Sequence, residues 1–176
     1  MGEPAKTIWT IGHSTRTIDE FVAMLQSFNI TLVADIRHFP GSRKYPHFNK
    51  EELHRSLLQH NIQYVHIENL GGRRKLHKDS LKTAWRHPAF RAYADYMETE
   101  NFKEGITMLQ DIAQQENTAF MCSEAVWWRC HRSMVADYLK ANGWTVMHIM
   151  AVAKAEEHLY TAPAKIIGGQ LTYQPG

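Results

Sequence analysis

The sequence predicts an α/β fold: a single three-layer domain with a mainly parallel sheet of about five strands, covered by helices on both faces. Short apolar runs typical of buried strands alternate along the chain with segments whose apolar residues recur at helical spacing. The turns between them are short, and this alternation favours right-handed crossovers between parallel strands. The length of 176 residues, of which 44% are hydrophobic and 22% charged, suits one domain spanning residues 1–176.

The first two strands and the helix between them have clear boundaries. An apolar run at residues 8–11 predicts the first strand. Thr17 and Glu20 have the spacing of a capping box, and apolar residues continue from there at helical spacing to Phe28, which predicts the first helix. The apolar run at residues 31–36 predicts the second strand.

The middle of the chain contains one further strand and three helices. Asn49 is a typical N-cap and precedes a segment with leucines at helical spacing, so a helix is predicted after it. Residues 63–67 then predict the third strand. A long connection follows, with helical patterns at residues 90–97 and 102–112.

The last part of the chain contains two strands, a helix and a tail. The fourth strand reaches Cys122, and its helix extends to about Ala141, where Gly143 ends it. Residues 144–149 predict the fifth strand. The remaining residues, 151–176, predict a loop-rich tail packed on the domain, with a short edge strand around residues 171–173.

The composition bounds the class of protein. No stretch approaches the roughly 20 apolar residues that a membrane span needs, so we expect no membrane association. The N-terminal residues lack the apolar core of a signal peptide, and the two cysteines favour a cytoplasmic protein with reduced thiols. The net charge of +2 is too small to serve by itself as a signal for or against nucleic-acid binding.

Polar and ionisable residues are concentrated in the loops that follow the predicted strands. Because the carboxyl ends of parallel strands meet at one edge of the sheet, we predict a single site there. The candidates for acid, base or nucleophilic chemistry are His13, Asp35, Glu124 and Cys122. The candidates for ligand binding are Ser14, Arg37, Arg43, Phe48, Trp127, Trp128, Arg129, His131 and Arg132.

The arginines among these residues predict an anion site. Planar guanidinium groups suit phosphate and carboxylate, and a helix N-terminus near Cys130 would add oriented N–H groups. Trp127, Trp128 and Phe48 are candidates for stacking on a base. The alternative is that each arginine pairs with a local acid.

The thiol of Cys122 has two interpretations. At the end of a strand and near a helix start it could be a nucleophile, whereas a free cysteine is more often a small buried core residue. We expect burial and the nearby Glu124 to keep this thiol protonated, which makes Glu124 and His13 better candidates for proton transfer.

A metal centre is a further alternative. Cys122, Cys130 and His131, joined by His13 or His148, could form a tetrahedral set. The spacing of the two cysteines and the adjacent histidine matches no structural zinc motif, so we assign no metal ligand and no cofactor.

Several short motifs, in order along nearly the whole chain, resemble those of the domain-of-unknown-function family 488. They lie at residues 10–14, 35–37, 40–43, 70–72, 121–124 and 130–132. The resemblance implies a compact cytosolic α/β protein of bacterial or archaeal type, and it implies no particular reaction.

The predicted function is that of an enzyme acting on a phosphate-bearing ligand, a nucleotide or a nucleic acid. Hydrolysis and group transfer are the default reaction types. The alternative function is a non-catalytic module that binds a nucleic acid or a small anion in the same pocket, and a metal-centred protein is the third possibility.

Overall fold

The computed structural model describes residues 6–41 and 43–175; the ends of the predicted domain and Ser42 lie outside these residues. The main sheet comprises β1 (Thr7–Gly12), β2 (Leu32–Asp35), β3 (Gln63–His66), β4 (Thr118–Cys122), β5 (Thr145–Ala151) and β6 (Lys154–Glu157). The helices are α1 (Ile18–Gln26), α2 (Lys50–Leu58), α3 (Pro88–Tyr96), α4 (Glu100–Gln115) and α5 (Arg132–Ala141). A separate two-stranded sheet pairs β7 (Lys165–Ile167) with β8 (Gln170–Thr172).

The main sheet has the strand order β3-β2-β4-β1-β5-β6. Strands β1 to β5 are mutually parallel, which confirms the predicted α/β class with a mainly parallel sheet, and β6 runs antiparallel to β5. Strand β4 lies between β2 and β1, so the loops that follow these three strands are neighbours. In the register, Gly12 of β1 is beside Cys122 of β4, and Met121 is beside Asp35 of β2.

Alternate residues of the central strands enter two separate hydrophobic clusters. Phe120 of β4 belongs to one cluster, and its neighbours Ala119 and Met121 belong to the other. This is the pattern of a strand buried on both faces. Helices α4 and α5 contribute to the first cluster and α1 and α2 to the second, so helices cover both faces of the sheet.

The boundaries of α1 follow from local chemistry. The Thr17 side chain accepts a hydrogen bond from the backbone N–H of Glu20 at 3.1 Å, as the capping-box spacing predicts. A cap of this kind typically contributes about 1 kcal/mol. No helix within the described part of the chain is long and apolar enough to cross a membrane.

The tail, residues 151–176, contains three short strands, β6, β7 and β8, where the sequence predicts a loop and one edge strand. The tail supplies one of the two edge strands of the main sheet, β6, which directly follows β5 through a tight turn containing Ala153 in a left-handed conformation (φ 57°). An antiparallel strand needs only such a turn and no crossover. Leu171 and Thr172, where the sequence suggested the edge strand, belong instead to the separate β7–β8 pair.

Candidate active site

A cavity of about 640 Å³ opens at the carboxyl edge of the parallel strands. Its walls come from the loops after β1, β2, β3 and β4 and from the residues preceding α5, as the parallel order predicts. The lining includes His13, Ser14, Thr15, Arg37, His38, Phe39, Tyr45, Gly72, Arg73, Cys122, Ser123, Glu124, Arg129, Cys130 and His131.

Two adjacent loops are fastened to each other at the base of this cavity. The backbone N–H groups of His13 and Ser14 donate to the carbonyls of Cys122 and Ser123 at 3.0 and 2.9 Å. The loop after β4 then passes directly over Gly12, where an added Cβ would lie 1.7 Å from the Glu124 carbonyl oxygen. Glycine is therefore required at position 12, because no side chain fits beneath this backbone crossing.

Asp35 and Arg37 form a buried ion pair in the wall. The Arg37 Nη2 and Nε atoms donate to the Asp35 carboxylate at 2.7 and 2.9 Å, and the Tyr64 hydroxyl donates to the same carboxylate at 2.6 Å. A further N–H of Arg37 donates to the Phe48 carbonyl at 2.8 Å. Both carboxylate oxygens of Asp35 are occupied and the residue is fully buried, so it supports the wall rather than meeting a ligand.

His13 is held in one tautomer. Its Nδ1 lies 2.9 Å from the Ser14 carbonyl oxygen, which can only accept, so Nδ1 carries the proton. Its Nε2 lies 3.3 Å from Arg37 Nη1 and accepts from it. Burial, reinforced by the Arg37 charge, lowers the pKa of His13 to about 4. At neutral pH the ring is an uncharged acceptor that stacks on Phe48 with 4.3 Å between centroids.

The two cysteines and His131 form the floor. The backbone N–H of Arg132 donates to Cys130 Sγ at 3.4 Å, and His131 Nδ1 lies 3.3 Å from the same sulfur. His131 Nε2 donates to the Ile36 carbonyl at 2.9 Å, which leaves Nδ1 as the nitrogen that can accept a proton. Burial raises the pKa of the Cys122 thiol well above its ordinary value, the direction expected from the sequence.

Arg73 and Arg129 line the cavity with exposed side chains. Neither side chain forms a hydrogen bond or ion pair with any residue of 6–41 or 43–175. Arg73 comes directly after Gly72, and its own backbone is left-handed (φ 59°). Arg129 is the last residue of a short 3-10 helix, Trp127–Arg129. Their charges are therefore available to a ligand, whereas the charge of Arg37 is compensated by Asp35.

The family model described as Domain of unknown function DUF488 matches residues 17–139. The chain belongs to this family. The matched region runs from the N-cap of α1 into α5 and contains every cavity residue named above except His13, Ser14 and Thr15. No curated protein and no solved structure matches the chain.

Arg132, which was expected to bind the ligand, lies beneath the cavity of this DUF488 domain. It is fully buried, with Nη2 donating to the Glu124 carbonyl at 3.1 Å and Nη1 donating to the Thr10 hydroxyl at 3.1 Å. It is a positioning residue for the loop after β4. Of the residues predicted to share one pocket, His13, Arg37 and Glu124 line the cavity, whereas Asp35 and Arg132 lie behind its surface.

The predicted aromatic platform is also placed differently. Phe48 is buried in the core, and Trp127 stacks on His148 with 4.5 Å between ring centroids and donates to Glu156. Trp128 is 51% exposed but does not line the cavity, and neither does the exposed Arg43. Strand β5 places His148 beside β1, where its ring covers the indole of Trp127, and this neighbour is not visible in the sequence.

Residues outside the predicted set also line the cavity. Phe39 and Tyr45 are the aromatic side chains of the lining, and Phe39 is 71% exposed. His38 lines the cavity as well, and its buried Nδ1 has no hydrogen-bond partner among the described residues. Sequence reasoning passed over His38, although its position directly after Arg37 at the end of β2 was a usable signal.

The cysteine and histidine side chains considered as metal ligands from the sequence lie in different surroundings in the structure. Within residues 6–41 and 43–175 no group of three or more histidine, cysteine, aspartate or glutamate side chains is placed to hold a metal ion. Of the set considered from the sequence, His148 is instead engaged with Thr10 and His158 at 2.6 and 2.8 Å. We assign no metal ligand.

Proposed function

We propose that this cavity binds a phosphate-bearing ligand, a nucleotide or a nucleic acid, and that the protein is an enzyme acting on it by hydrolysis or group transfer. The observation that carries the proposal is that Arg73 and Arg129 line one cavity without a protein partner among the described residues. Two guanidinium groups can donate charge-assisted hydrogen bonds to phosphate oxygens from opposite loops. Transfer of a phosphoryl group depends mainly on such positioning and charge stabilisation.

Glu124 and His13 are the best candidates for proton transfer at this phosphate. The Glu124 side chain is exposed and lines the cavity, so its carboxylate can accept a proton from water or from an acceptor hydroxyl. His13 is neutral at pH 7 and its Nε2 is engaged only by a long contact with Arg37. We therefore assign Glu124 as the general base and His13 as a polar contact that can receive a proton in a second step.

A nucleotide suits the cavity better than inorganic phosphate. Phe39 and Tyr45 lie beside the arginine-lined region, and aromatic side chains stack on bases of any sequence. A volume of about 640 Å³ lies within the range typical of small-molecule sites. We further propose a cytoplasmic location, since both cysteines are free thiols.

The test is a binding and turnover measurement. Calorimetry with nucleoside mono- and triphosphates and a short single-stranded oligonucleotide should give at least one ligand for the wild-type protein. Arg73→Ala and Arg129→Ala should each weaken it about tenfold or more, since a hydrogen bond to a charged group contributes about 1.5–3 kcal/mol. Arg55→Ala is the matched control, because Arg55 is an exposed arginine of α2 outside the cavity. Binding by no compound of the panel, or equal weakening in all three variants, would refute the proposal.

A non-catalytic binding module is the second candidate. It is favoured by Asp35, one of four residues predicted to act in catalysis, whose carboxylate is saturated by Arg37 and Tyr64 and shielded from a ligand. The two functions differ in turnover. Recovery of a tightly bound ligand unchanged after prolonged incubation, with binding still sensitive to Arg73→Ala, would favour the binding module.

A further inference from the structure

Both cysteines lie together at the floor of the cavity, although eight positions separate them. Cys122 is the last residue of β4, and Cys130 precedes α5 by two positions. The two thiols are near enough that an interaction with Cys122 lowers the pKa of Cys130, and both cysteines are free. Both also line the cavity, with Cys130 7% and Cys122 1% exposed. Two free thiols at the base of one open cavity can become bonded where their sulfurs can approach to about 2 Å.

The surroundings of Cys130 favour an attacking thiol. Its sulfur accepts the backbone N–H of Arg132 at the N-terminus of α5, where the helix dipole favours negative charge. His131 Nδ1 lies 3.3 Å from the sulfur and is placed to receive its proton, and because burial lowers the pKa of His131, a proton received there is readily passed on to a leaving thiolate. Burial alone would raise the pKa of Cys130, but the interaction with Cys122 and the charge of Arg132 together lower it.

Cys122 is placed as the resolving thiol. The Glu124 carbonyl oxygen lies 3.8 Å from its sulfur and can accept a hydrogen bond from the thiol, but it cannot stabilise a thiolate. Cys122 is also the more buried of the two residues, which favours Cys130 as the first to meet a reagent in the cavity. A reactive thiol beside a protonated, buried partner is the arrangement from which dithiol exchange proceeds.

We propose that Cys130 and Cys122 form a redox-active pair that reduces an organic disulfide entering the cavity. The Cys130 thiolate, its proton held by His131, attacks one sulfur of the disulfide and breaks its S–S bond. One thiolate leaves with that proton, and Cys130 carries a mixed disulfide. Cys122 then passes its proton to His131 and attacks Cys130 Sγ. The second thiol leaves with this proton, and the two electrons of the dithiol have passed to the substrate.

This activity extends beyond the proposed function and also bears on the cavity itself. The loop between the two cysteines carries Glu124 and Arg129, so a Cys122–Cys130 bond would close a ring around ligand-binding residues. Because thiol exchange is measured without any nucleotide, its failure is distinguishable from failure of the phosphate proposal. A transient bond is also compatible with a reducing compartment.

The test uses the full chain and oxidised glutathione at neutral pH, followed by intact mass measurement without reductant. The wild-type protein should lose the mass of two hydrogen atoms and release two equivalents of glutathione. Cys122→Ser should accumulate a stable mixed disulfide on Cys130, and Cys130→Ser should remain unmodified over the same time. An unmodified wild-type protein, or equal modification of both variants, would overturn the proposal.

A second measurement needs no variant and covers the case in which either substitution prevents folding. Iodoacetamide labelling of the native wild-type protein, mapped by peptide mass, should modify Cys130 well before Cys122. The Cys130 rate should also rise less between pH 6.5 and 8 than the roughly 20-fold rise in thiolate of an ordinary cysteine. Earlier labelling of Cys122, or an ordinary pH dependence at Cys130, would contradict the assigned roles.

Discussion

Two groups of polar side chains lie near the carboxyl edge of the sheet, and they differ in how completely they are satisfied. The first is a buried relay that connects five residues, Arg132, Thr10, His148, His158 and Asp137, at distances of 2.6 to 3.1 Å. The second is the lining of the cavity, where Arg73, Arg129 and Glu124 have no side-chain partner among residues 6–41 and 43–175. Composition alone makes the two groups look alike.

The carboxylate of Asp137 can only accept hydrogen bonds, and this fixes which nitrogen of each histidine in the relay carries the proton. Asp137 accepts from His158 Nε2, so His158 Nδ1 accepts from His148 Nε2. His148 Nδ1 then accepts from the Thr10 hydroxyl, which in turn accepts from Arg132. Hydrogen bonds join all five residues, and Arg132 Nε is the atom of this chain of contacts that has no partner among the described residues. Such a network stabilises one arrangement of the chain and offers nothing to a ligand.

Hydrogen-bond saturation, rather than residue type, separates the buried arginines from the two whose donors are open to the proposed ligand. Arg37 and Arg132 are buried and donate to carbonyls and carboxylates of the protein. Arg73 and Arg129 are exposed and leave all of their donors to solvent. A phosphate would replace water at Arg73 and Arg129. At Arg37 and Arg132 it would have to displace the protein groups that already accept from these side chains.

The largest expected effect comes from removing the end of the relay. Asp137 also accepts from the Thr161 and Tyr173 hydroxyls, which join the tail to α5. Asp137→Ala should lower the free energy of unfolding by about 3 kcal/mol or more, because buried donors lose their charged acceptor. Denaturant unfolding measures this. Glu52→Ala is the control, since its ion pair with Arg55 is exposed and should contribute less than about 1 kcal/mol. Equal stability of Asp137→Ala and wild type would show that the relay does not hold the tail.

The second prediction separates the two kinds of arginine directly. Arg132→Ala should lower the free energy of unfolding by about 2–3 kcal/mol. The reason is that the Glu124 carbonyl in the loop after β4 and the Thr10 hydroxyl would each lose a buried donor. Arg73→Ala should change it by less than about 0.5 kcal/mol, since its side chain is exposed. Thermal or denaturant unfolding of both variants decides the matter. A loss of stability in Arg73→Ala as large as in Arg132→Ala would contradict the assignment of Arg132 as a structural residue and of Arg73 as a surface residue that has no partner among the described residues.

The sequence predicts the edge of the sheet but not this distinction. Hydrophobic periodicity identifies five parallel strands, and parallel strands bring their following loops together whatever their order. The partners of Arg132 depend on strand order, since Thr10 is 122 positions away and becomes a neighbour only because β1 lies beside β4. For the same reason Trp127 appeared available for stacking on a ligand, whereas His148 occupies its face.

From the sequence, only Cys122 is considered as a nucleophile, and its thiol is expected to stay protonated. Cys122 drew attention because it ends a strand, and Cys130 entered only as a metal ligand. The helix begins at Arg132 rather than at Cys130, and this shift of two residues places the first helical N–H on the Cys130 sulfur. Helix boundaries are uncertain by about this much in any reading of a sequence, so the difference between the two thiols could not be resolved there.

The third prediction concerns acid. Burial lowers the pKa of His13 to about 4 and that of His148 to about 2, the latter aided by the charges of His158 and Arg132. The unfolded chain therefore binds more protons than the folded one below pH 6.5, and stability should fall as pH decreases. Each histidine contributes at most about 1.4 kcal/mol per pH unit.

Denaturant unfolding between pH 7.5 and 5.5 checks this expectation. His148→Gln should reduce the slope of stability against pH, independently of its effect on stability at pH 7.5. His60→Asn, at an exposed position after α2, should leave the slope unchanged. If the slope of stability against pH is the same in His148→Gln as in the wild type, groups other than His148 cause the loss of stability in acid.

The smallest expected effect concerns the aromatic side chains on either side of the comparison. Phe39 is exposed at the cavity, whereas Trp128 is exposed outside it. Phe39→Ala should weaken nucleotide binding by about 1 kcal/mol, or about fivefold, because one stacking contact with a base is lost. It should not change binding of a ribose phosphate, which has no base to stack. Trp128→Ala should affect neither ligand, and calorimetry on both variants measures all four affinities. Weaker nucleotide binding in Trp128→Ala than in Phe39→Ala would move the base to the far side of the loop after β4 and restore the tryptophans as its platform.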